Sequence, residues 1–280
     1  MNIESIFACP ECKNNLEYHG DNYLCSRCNK IYYKKNSKIF FYKKEDDVKS
    51  TEDIWLNNLK NKIKFFPKLY YLFINLFAPA PLLDKKLKNF LKEASPEDII
   101  LNLGSGSFRL NKGIINVDIE PYKEVDIVSD IAKIPFKEES VDIIILNAVL
   151  EHTKQPELVI QESHRVLKRG GLIYITVPFI YPLHPSPNDY QRWTHAGFLE
   201  KMKGFELIKS GIISGPTIAL ISILQEYLAF LFSFGFVPLY YFFWFLFMIV
   251  TTPLKLLDIF LIHHPKAKKI AAVFYYIYKK

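Results

Sequence analysis

The sequence predicts an α/β protein built on a doubly wound parallel sheet, with a small cysteine-stapled ribbon before it and an apolar helical hairpin after it. Three observations carry this. Four cysteines are confined to the first 30 residues, apolar runs alternate with helical patterns from Asp98 onward, and no formal charge occurs from Tyr227 to Thr252. The 280 residues, 50% of them hydrophobic, suffice for one full-sized domain with smaller attachments. Lys and Arg number 36 against 29 Asp and Glu, and this +7 balance suits an anionic partner, either nucleic acid or the face of an acidic membrane. No charged start with an apolar core and small-residue cleavage site stands at Met1, so the expectation is a body that faces the cytoplasm.

The cysteines are Cys9, Cys12, Cys25 and Cys28, written CPEC, twelve residues, then CSRC. Paired knuckles at this spacing place four thiolates around one tetrahedral Zn²⁺, and so short a segment forms no core without such a staple. Two disulfides or a redox pair are the alternatives. Thiols of a cytosolic chain stay reduced and available to metal, which favours a closed, structural zinc site. The strand-like run from Ile31 to Tyr42 completes this ribbon, residues 1–42.

Residues 43–97 begin with the charged linker KKEDDVKSTED. They continue with IKFFPKLYYLFINLFAPAPLL, Ile63 to Leu83, where Lys68 is the single charge after Lys64. Interrupted by Pro67, Pro79 and Pro81, this stretch predicts a helix lying on a membrane or against the last segment, a core helix being the alternative.

Residues 98–210 carry the strand and helix alternation. In ILNLGSGSFRLNKGIINVDIEPY, Ile99 to Leu103 predicts a first strand, and Gly104 and Gly106 permit a tight turn and the close approach of a ligand. Ile114 to Val117 predicts a second strand ending on Asp118, where a carboxylate can accept hydrogen bonds from both hydroxyls of a ribose. The full G-x-G-x-x-G fingerprint is absent because position 109 is Arg109, which favours a nucleoside without a pyrophosphate.

With the following block, VDIVSDIAKIPFKEESVDIIILNAVLEHTKQPELVIQESHRVLKRGGLIYITVPF, the chain resembles the class I S-adenosylmethionine-dependent methyltransferases of the type 11 group, from Asp98 to about Phe205. The resemblance implies a Rossmann-like methyltransferase sheet with S-adenosylmethionine as cofactor. It places Asn102, Gly104, Ser105 and Gly106 under the methionine part, Asp118 on the ribose, and Asp130 with the Ile131 backbone at the adenine. It sets Asn147 at the end of the fourth strand facing the methyl donor, Leu150 to His152 at the start of a helix, and Arg165 to Gly171 at the turn into strand five. The family usually has an acid where Asn102 stands; an amide can accept a hydrogen bond but brings no charge.

Methyl transfer requires alignment of acceptor, carbon and sulfur and, for a hydroxyl, removal of a proton. The loop after strand five, PFIYPLHPSPNDYQRWTHAGF, gathers His184, Asp189, Tyr190, Arg192, Trp193 and His195 and suits an acceptor site. The bland alternative is an Asp189–Arg192 pair fixing the loop and His195 capping a helix. His152 and His184 are the candidate bases, beside Asn147.

Residues 211–280 contain the 26-residue uncharged run, long enough for one spanning helix or for a hairpin turning near Gly235 and Pro238. Lys201, Lys203 and Lys209 before it and Lys255, Lys266, Lys268 and Lys269 after it favour both ends in the cytoplasm, hence the hairpin. An oligomerisation surface is the soluble alternative. The sequence therefore predicts a membrane-associated methyltransferase that meets membrane lipid and acts on a lipid-linked glycan, isoprenoid or other cell-envelope precursor. Two other readings stay open. The ribbon resembles the zinc domain that partners some tRNA and release-factor methyltransferases, which would make RNA or a protein factor the substrate, and a non-catalytic membrane scaffold is also possible. The long apolar end makes nucleic acid the weaker choice.

Overall fold

The computed structural model describes residues 3–42, 85–184 and 188–280. The linker and the Ile63 to Leu83 segment lie outside the described residues. Strands β1 (Glu17–His19), β2 (Asn22–Leu24), β3 (Ile31–Lys35) and β4 (Lys38–Phe40) form an antiparallel meander. Strands β5 (Ile100–Leu103), β6 (Ile114–Asp118), β7 (Ile127–Val128), β8 (Val141–Asn147) and β9 (Leu167–Pro178) are parallel. Strands β10 (Glu206–Ser214) and β11 (Val273–Lys279) complete one sheet in the order β1-β2-β3-β4-β7-β6-β5-β8-β9-β11-β10. Strand order reverses at β5, the place where an open α/β sheet parts its connections and leaves a crevice at the strand ends. This is the Rossmann-like methyltransferase sheet anticipated from the sequence.

The central strands are apolar because both faces are covered. All four residues of β5 are buried, as are Ile143, Ile144, Ile145 and Leu146 of β8. On one face, Ile100, Ile143, Ile145 and Tyr174 pack with Leu87 and Phe90, the two buried residues of helix α1 (Lys85–Lys92). On the other, Leu101, Leu103, Val117, Ile144 and Leu146 share a cluster with Val159 and Ile160 of α2 (Pro156–Val166). Pro156 opens α2 at a position where its missing N–H costs nothing.

That second cluster also contains Phe7, Tyr23, Tyr32 and Phe41. The cysteine-bearing segment is part of the same body. Strand β4 pairs parallel with β7, aligning Ile39 with Ile127 and Phe40 with Val128, so the ribbon extends the sheet and closes an otherwise open edge. Phe7 forms a bridge to Phe136 with ring centroids 5.5 Å apart, and Lys38 Nζ donates to the carbonyls of Tyr122, Lys123 and Val125 at 2.7–2.9 Å. The expected alternation of strands and helices is thinner here than the sequence suggested. The β5–β6 and β6–β7 connections contain no helix, and ribbon residues supply the apolar cover there.

The carboxyl-terminal region differs from the expected arrangement of a core ending near residue 210 with the remainder appended. Strand β11 runs antiparallel between β9 and β10, pairing Phe274 with Val177 and with Ile212. The apolar helices α4 (Pro216–Ser233) and α5 (Val237–Thr251) are thus an insertion between two paired strands. Phe234 and Gly235, at φ +48° and +83°, reverse the chain between them. Gln225 Nε2 donates to Thr251 Oγ1 at 2.6 Å, and Trp244 Nε1 donates to Glu226 Oε1 at 3.0 Å. At the base, Asp258 opens the short helix α6 (Asp258–Leu261), and its buried carboxylate accepts from the Thr217 and Ile218 amides at 2.8 and 3.0 Å, capping α4 from across the hairpin. Two segments, Pro216–Ser233 and Val237–Leu261, are long and apolar enough to cross a membrane, and the second is just 17% buried.

Truncation after Ser210 removes β11 from between its partners and is expected to give an aggregating chain without a cooperative melt. Replacing residues 216–271 by a short turn keeps the Ser214–Val273 pairing and is expected to give a soluble, cooperatively melting core, checked by circular dichroism.

Candidate functional site

The crevice at the carboxyl ends of β5, β6 and β8 is shaped by backbone conformation. Gly104 and Gly106 adopt φ +67° and +59°, and the Gly104 amide donates to Val117 O at 2.8 Å. A Cβ on Gly104 would lie 2.6 and 2.8 Å from the Val149 methyls, whereas a Cβ on Gly106 would meet open space. The first glycine therefore seats the turn against the segment after β8, and the second leaves a free surface above it.

Asp118 ends β6 as expected. Its carboxylate is 8% exposed and accepts from the Gly106 amide at 2.7 Å and the Glu120 amide at 2.9 Å. Burial pushes its pKa above the usual carboxylate value, partly offset by these amides. Asp130 accepts from the Ala132 amide at 2.9 Å, and Ile131 is 8% exposed beside it. A cradle of glycine backbone with one carboxylate at the tip of the second strand fits the nucleoside of S-adenosylmethionine.

Asn102 takes a more structural place than a cofactor contact alone requires. Its buried amide donates to Asn116 Oδ1 at 3.1 Å, and Asn116 in turn donates to the carbonyls of Phe108 and Glu124. Arg109, the residue that breaks the longer glycine fingerprint, pairs with Asp126 at 2.7 Å and Glu124 at 3.2 Å and fastens the same loop. Asn147 ends β8 and accepts from Thr176 Oγ1 at 2.8 Å, while Thr176 accepts from the Ala148 amide. Ala148 has φ +55°, a strained conformation for a residue with a side chain, located where β8 opens into the crevice.

Beyond this point the structure joins His152 and His184, which are 32 positions apart. Their ring centroids lie 5.0 Å apart, edge to face. His152 Nδ1 stands 2.6 Å from Asn188 O, and His184 Nδ1 stands 3.3 Å from Asp189 Oδ2 and 3.2 Å from Arg192 Nη2. Arg192 also pairs with Asp189, and together they hold the Asp189 carboxyl below its usual pKa despite the burial that pushes it up. The Asp189–Arg192 pair considered from the sequence is thus present and props up His184. Trp193 is a core residue against Phe198, its centroid 5.7 Å away. Thr194, not His195, caps helix α3 (His195–Lys201), accepting from the Gly197 amide at 3.0 Å. His195 turns toward β11, 3.0 Å from Tyr276 Oη, and burial with Lys268 nearby lowers its pKa.

The sequence reading missed Glu151. It lies beside both rings, fully buried, with Oε1 3.7 Å from His184 Nε2 and 4.0 Å from His152 Nε2, and neither oxygen has a hydrogen bond among the described residues. An unsatisfied buried polar group costs about 1–3 kcal/mol, and more when charged. The adjacent Glu-His pair followed by a histidine on a proline-rich loop was the available signal.

The four cysteine sulfurs converge within the ribbon. The separations Cys9–Cys28, Cys12–Cys25 and Cys12–Cys28 are 3.5, 3.3 and 3.8 Å, too long for disulfide bonds and close to the edge of about 3.8 Å of a thiolate tetrahedron around Zn²⁺. Lys13 Nζ, within the first knuckle, pairs with Glu162 of α2 at 2.7 Å. A further cleft lined by Phe90, Asp98, Asp142 and Lys168 opens at the opposite ends of the strands and plays no part in the crevice.

Residues 109–175 match the methyltransferase domain family. The matched stretch contains Asp118, Asp130, Asn147, Glu151 and His152, and it begins after the glycine turn. An uncharacterized protein of Methanocaldococcus jannaschii is 30% identical over 42% of this chain and 66% of its own length, so this chain spans slightly less than two thirds of that relative. An S-adenosylmethionine-dependent methyltransferase from Archaeoglobus fulgidus is 16% identical with a TM-score of 0.47, covering 75% of this chain and 99% of that one. The Burkholderia thailandensis 1,6-didemethyltoxoflavin-N1-methyltransferase is 12% identical with a TM-score of 0.44, covering 95% and 98%.

Substituting Gly104 with Ala should cost about 1–3 kcal/mol through the Val149 clash, on top of the positive φ. Gly106→Ala carries the backbone penalty of roughly 1–2 kcal/mol without the clash, so its melting temperature should fall less.

Proposed function

We propose that this chain, which carries a methyltransferase domain, transfers the methyl group of S-adenosylmethionine at a membrane, to a lipid-linked glycan, an isoprenoid or another cell-envelope precursor. S-adenosylmethionine supplies an activated methyl carbon. The chain's part is to hold it and orient an acceptor, with Gly104, Ser105 and Gly106 beneath the methionine, Asp118 on the ribose, and Asp130 with Ile131 beside the adenine. Asn147 faces the donor from the end of β8. The ribbon is read as a structural zinc site on Cys9, Cys12, Cys25 and Cys28.

One observation carries the membrane part of the reading. Ile218 and Ala219, at the foot of α4, form a small core with Ala272 and Val273, and Ile180 and Tyr181 pack against it. Tyr181 in turn contacts His184 edge to face, its centroid 5.1 Å away. The apolar hairpin therefore grows out of the wall of the candidate acceptor site. A substrate whose tail dissolves in lipid would present its head group there. The hairpin exposes Phe230, Phe234, Phe236 and Phe260, each at least 65% accessible, a surface that favours lipid or another apolar partner over water. An RNA acceptor gains nothing from such a surface.

Membranes incubated with methyl-labelled S-adenosylmethionine should transfer label to a solvent-extractable lipid fraction, and Asp118→Ala should abolish both this transfer and S-adenosylhomocysteine binding by calorimetry. Label appearing in RNA or protein would reject the lipid acceptor. Burial of about 20 apolar side chains at roughly 1.5 kcal/mol or more each exceeds any salt-screened surface attraction. Carbonate or high salt should therefore leave the protein in the pellet, whereas detergent should release it. A tag after Lys280 should share the protease protection of a tag at the amino terminus.

A further inference from the structure

We propose that Glu151, His152 and His184 hold a divalent transition-metal ion at the acceptor end of the crevice. The inference deepens the methyl-transfer reading and rests on it for the ion's role, but the binding itself stands on geometry alone. The ligand atoms, one carboxylate oxygen and two imidazole nitrogens, all lie within 4.8 Å of one another. Two imidazoles and one carboxylate with further positions open are a donor set for Zn²⁺, Mn²⁺, Fe²⁺ or Co²⁺.

The hydrogen bond of His152 favours an ion over a proton on its inner nitrogen. His152 Nδ1 faces the carbonyl oxygen of Asn188 at 2.6 Å, which can accept a hydrogen bond but not donate one, so Nδ1 carries the proton. The lone pair of neutral His152 is then on Nε2, which points at Glu151 Oε1 from 4.0 Å. Two electron-rich atoms then face each other. His184 Nδ1 stands 3.3 Å from Asp189 Oδ2 and 3.2 Å from Arg192 Nη2, and its Nε2 lies 3.7 Å from the same Glu151 oxygen. His152 is held as ligating histidines are, the outer nitrogen bonded to a carbonyl and the inner one free to face a metal. Ligands about 2.1 Å from one ion stand roughly 3.0–3.4 Å apart, so an ion would draw together atoms that here are 3.7 Å, 4.0 Å and at most 4.8 Å apart.

Glu151 supplies the independent observation. Its side chain is fully buried, and neither oxygen has a hydrogen-bond partner among the described residues. A buried carboxylate without a hydrogen bond calls for a cation, and Arg192, beside His184, is engaged by Asp189. The position is also right for chemistry. Val149, two residues before Glu151, touches the space above Gly104, and the Glu151 carbonyl accepts from the Tyr190 amide of the acceptor loop at 2.8 Å. An ion here would bind an acceptor hydroxyl and lower its pKa. The hydroxyl proton would pass to water, an oxygen lone pair would form the new bond to the methyl carbon, and the carbon–sulfur bond would break with its electrons left on sulfur. His152 and His184 would then act as ligands, not as free bases.

Full-length protein in detergent, saturated with Zn²⁺ and desalted, is analysed for metal. Two ions per chain are expected, falling to one in Glu151→Gln and in His184→Ala, with Cys25→Ser keeping the ion that those variants lose. With Co²⁺, the remaining site of Cys25→Ser should show weak ligand-field bands without thiolate charge transfer. Binding of S-adenosylhomocysteine at wild-type strength identifies the variants that are folded. A wild-type chain with a single ion lost through Cys25→Ser overturns the proposal, as does a folded Glu151→Gln that keeps two. A wild-type chain that binds two ions but no S-adenosylhomocysteine would reject the methyl-transfer reading and leave the metal site standing.

Discussion

Strand β11 enters the sheet antiparallel, between β9 and β10, after the chain has travelled through two long apolar helices and back. Seven consecutive residues, Val273 to Lys279, pair with β9, and Phe274, Tyr276 and Tyr278 are buried. A strand paired on both sides cannot be drawn away without opening the sheet. The inserted helices must therefore leave and return on the same side of any membrane they enter, and α4 must start beside the loop that follows β9. Ile218 packing near Tyr181 is the consequence, and with it the neighbourhood of hairpin and candidate acceptor site.

The opposite edge of the sheet is closed by a different device. Strand β7 is two residues long and would end the sheet with exposed backbone groups, but β4 adds to it in parallel and the ribbon continues outward. Phe7, Tyr23 and Phe41 then fill the space that a crossover helix would occupy in a fuller α/β layer. Metal bound by the cysteines would thus stabilise the sheet edge as well as the ribbon, and the Lys13–Glu162 pair links the knuckle to α2.

Between these two closed edges lies a crevice made of strained or unsatisfied parts. Gly104 and Gly106 adopt positive φ, Ala148 does so without being glycine, Asp118 is buried, and Glu151 is buried without a hydrogen bond among the described residues. Such features cost stability, and these stand together at one end of the central strands.

The sequence alone determined the parts whose cause is local. Cysteine spacing marked the ribbon, two glycines and the second-strand aspartate marked the turn, and apolar runs placed β5 and β6 to within one residue. The charge-free stretch with its central Gly235 announced the hairpin helices. Tertiary structure decided what depends on pairing across the chain. Whether the apolar run was one span or a hairpin turned on β11, a strand whose partners lie far away in the chain. That Asn102 serves Asn116, that His195 belongs to Tyr276, and that Glu151 sits beside two histidines are equally long-range facts. Local pattern reports which residues prefer burial or a turn, but a side chain's partner is set by which strands lie side by side.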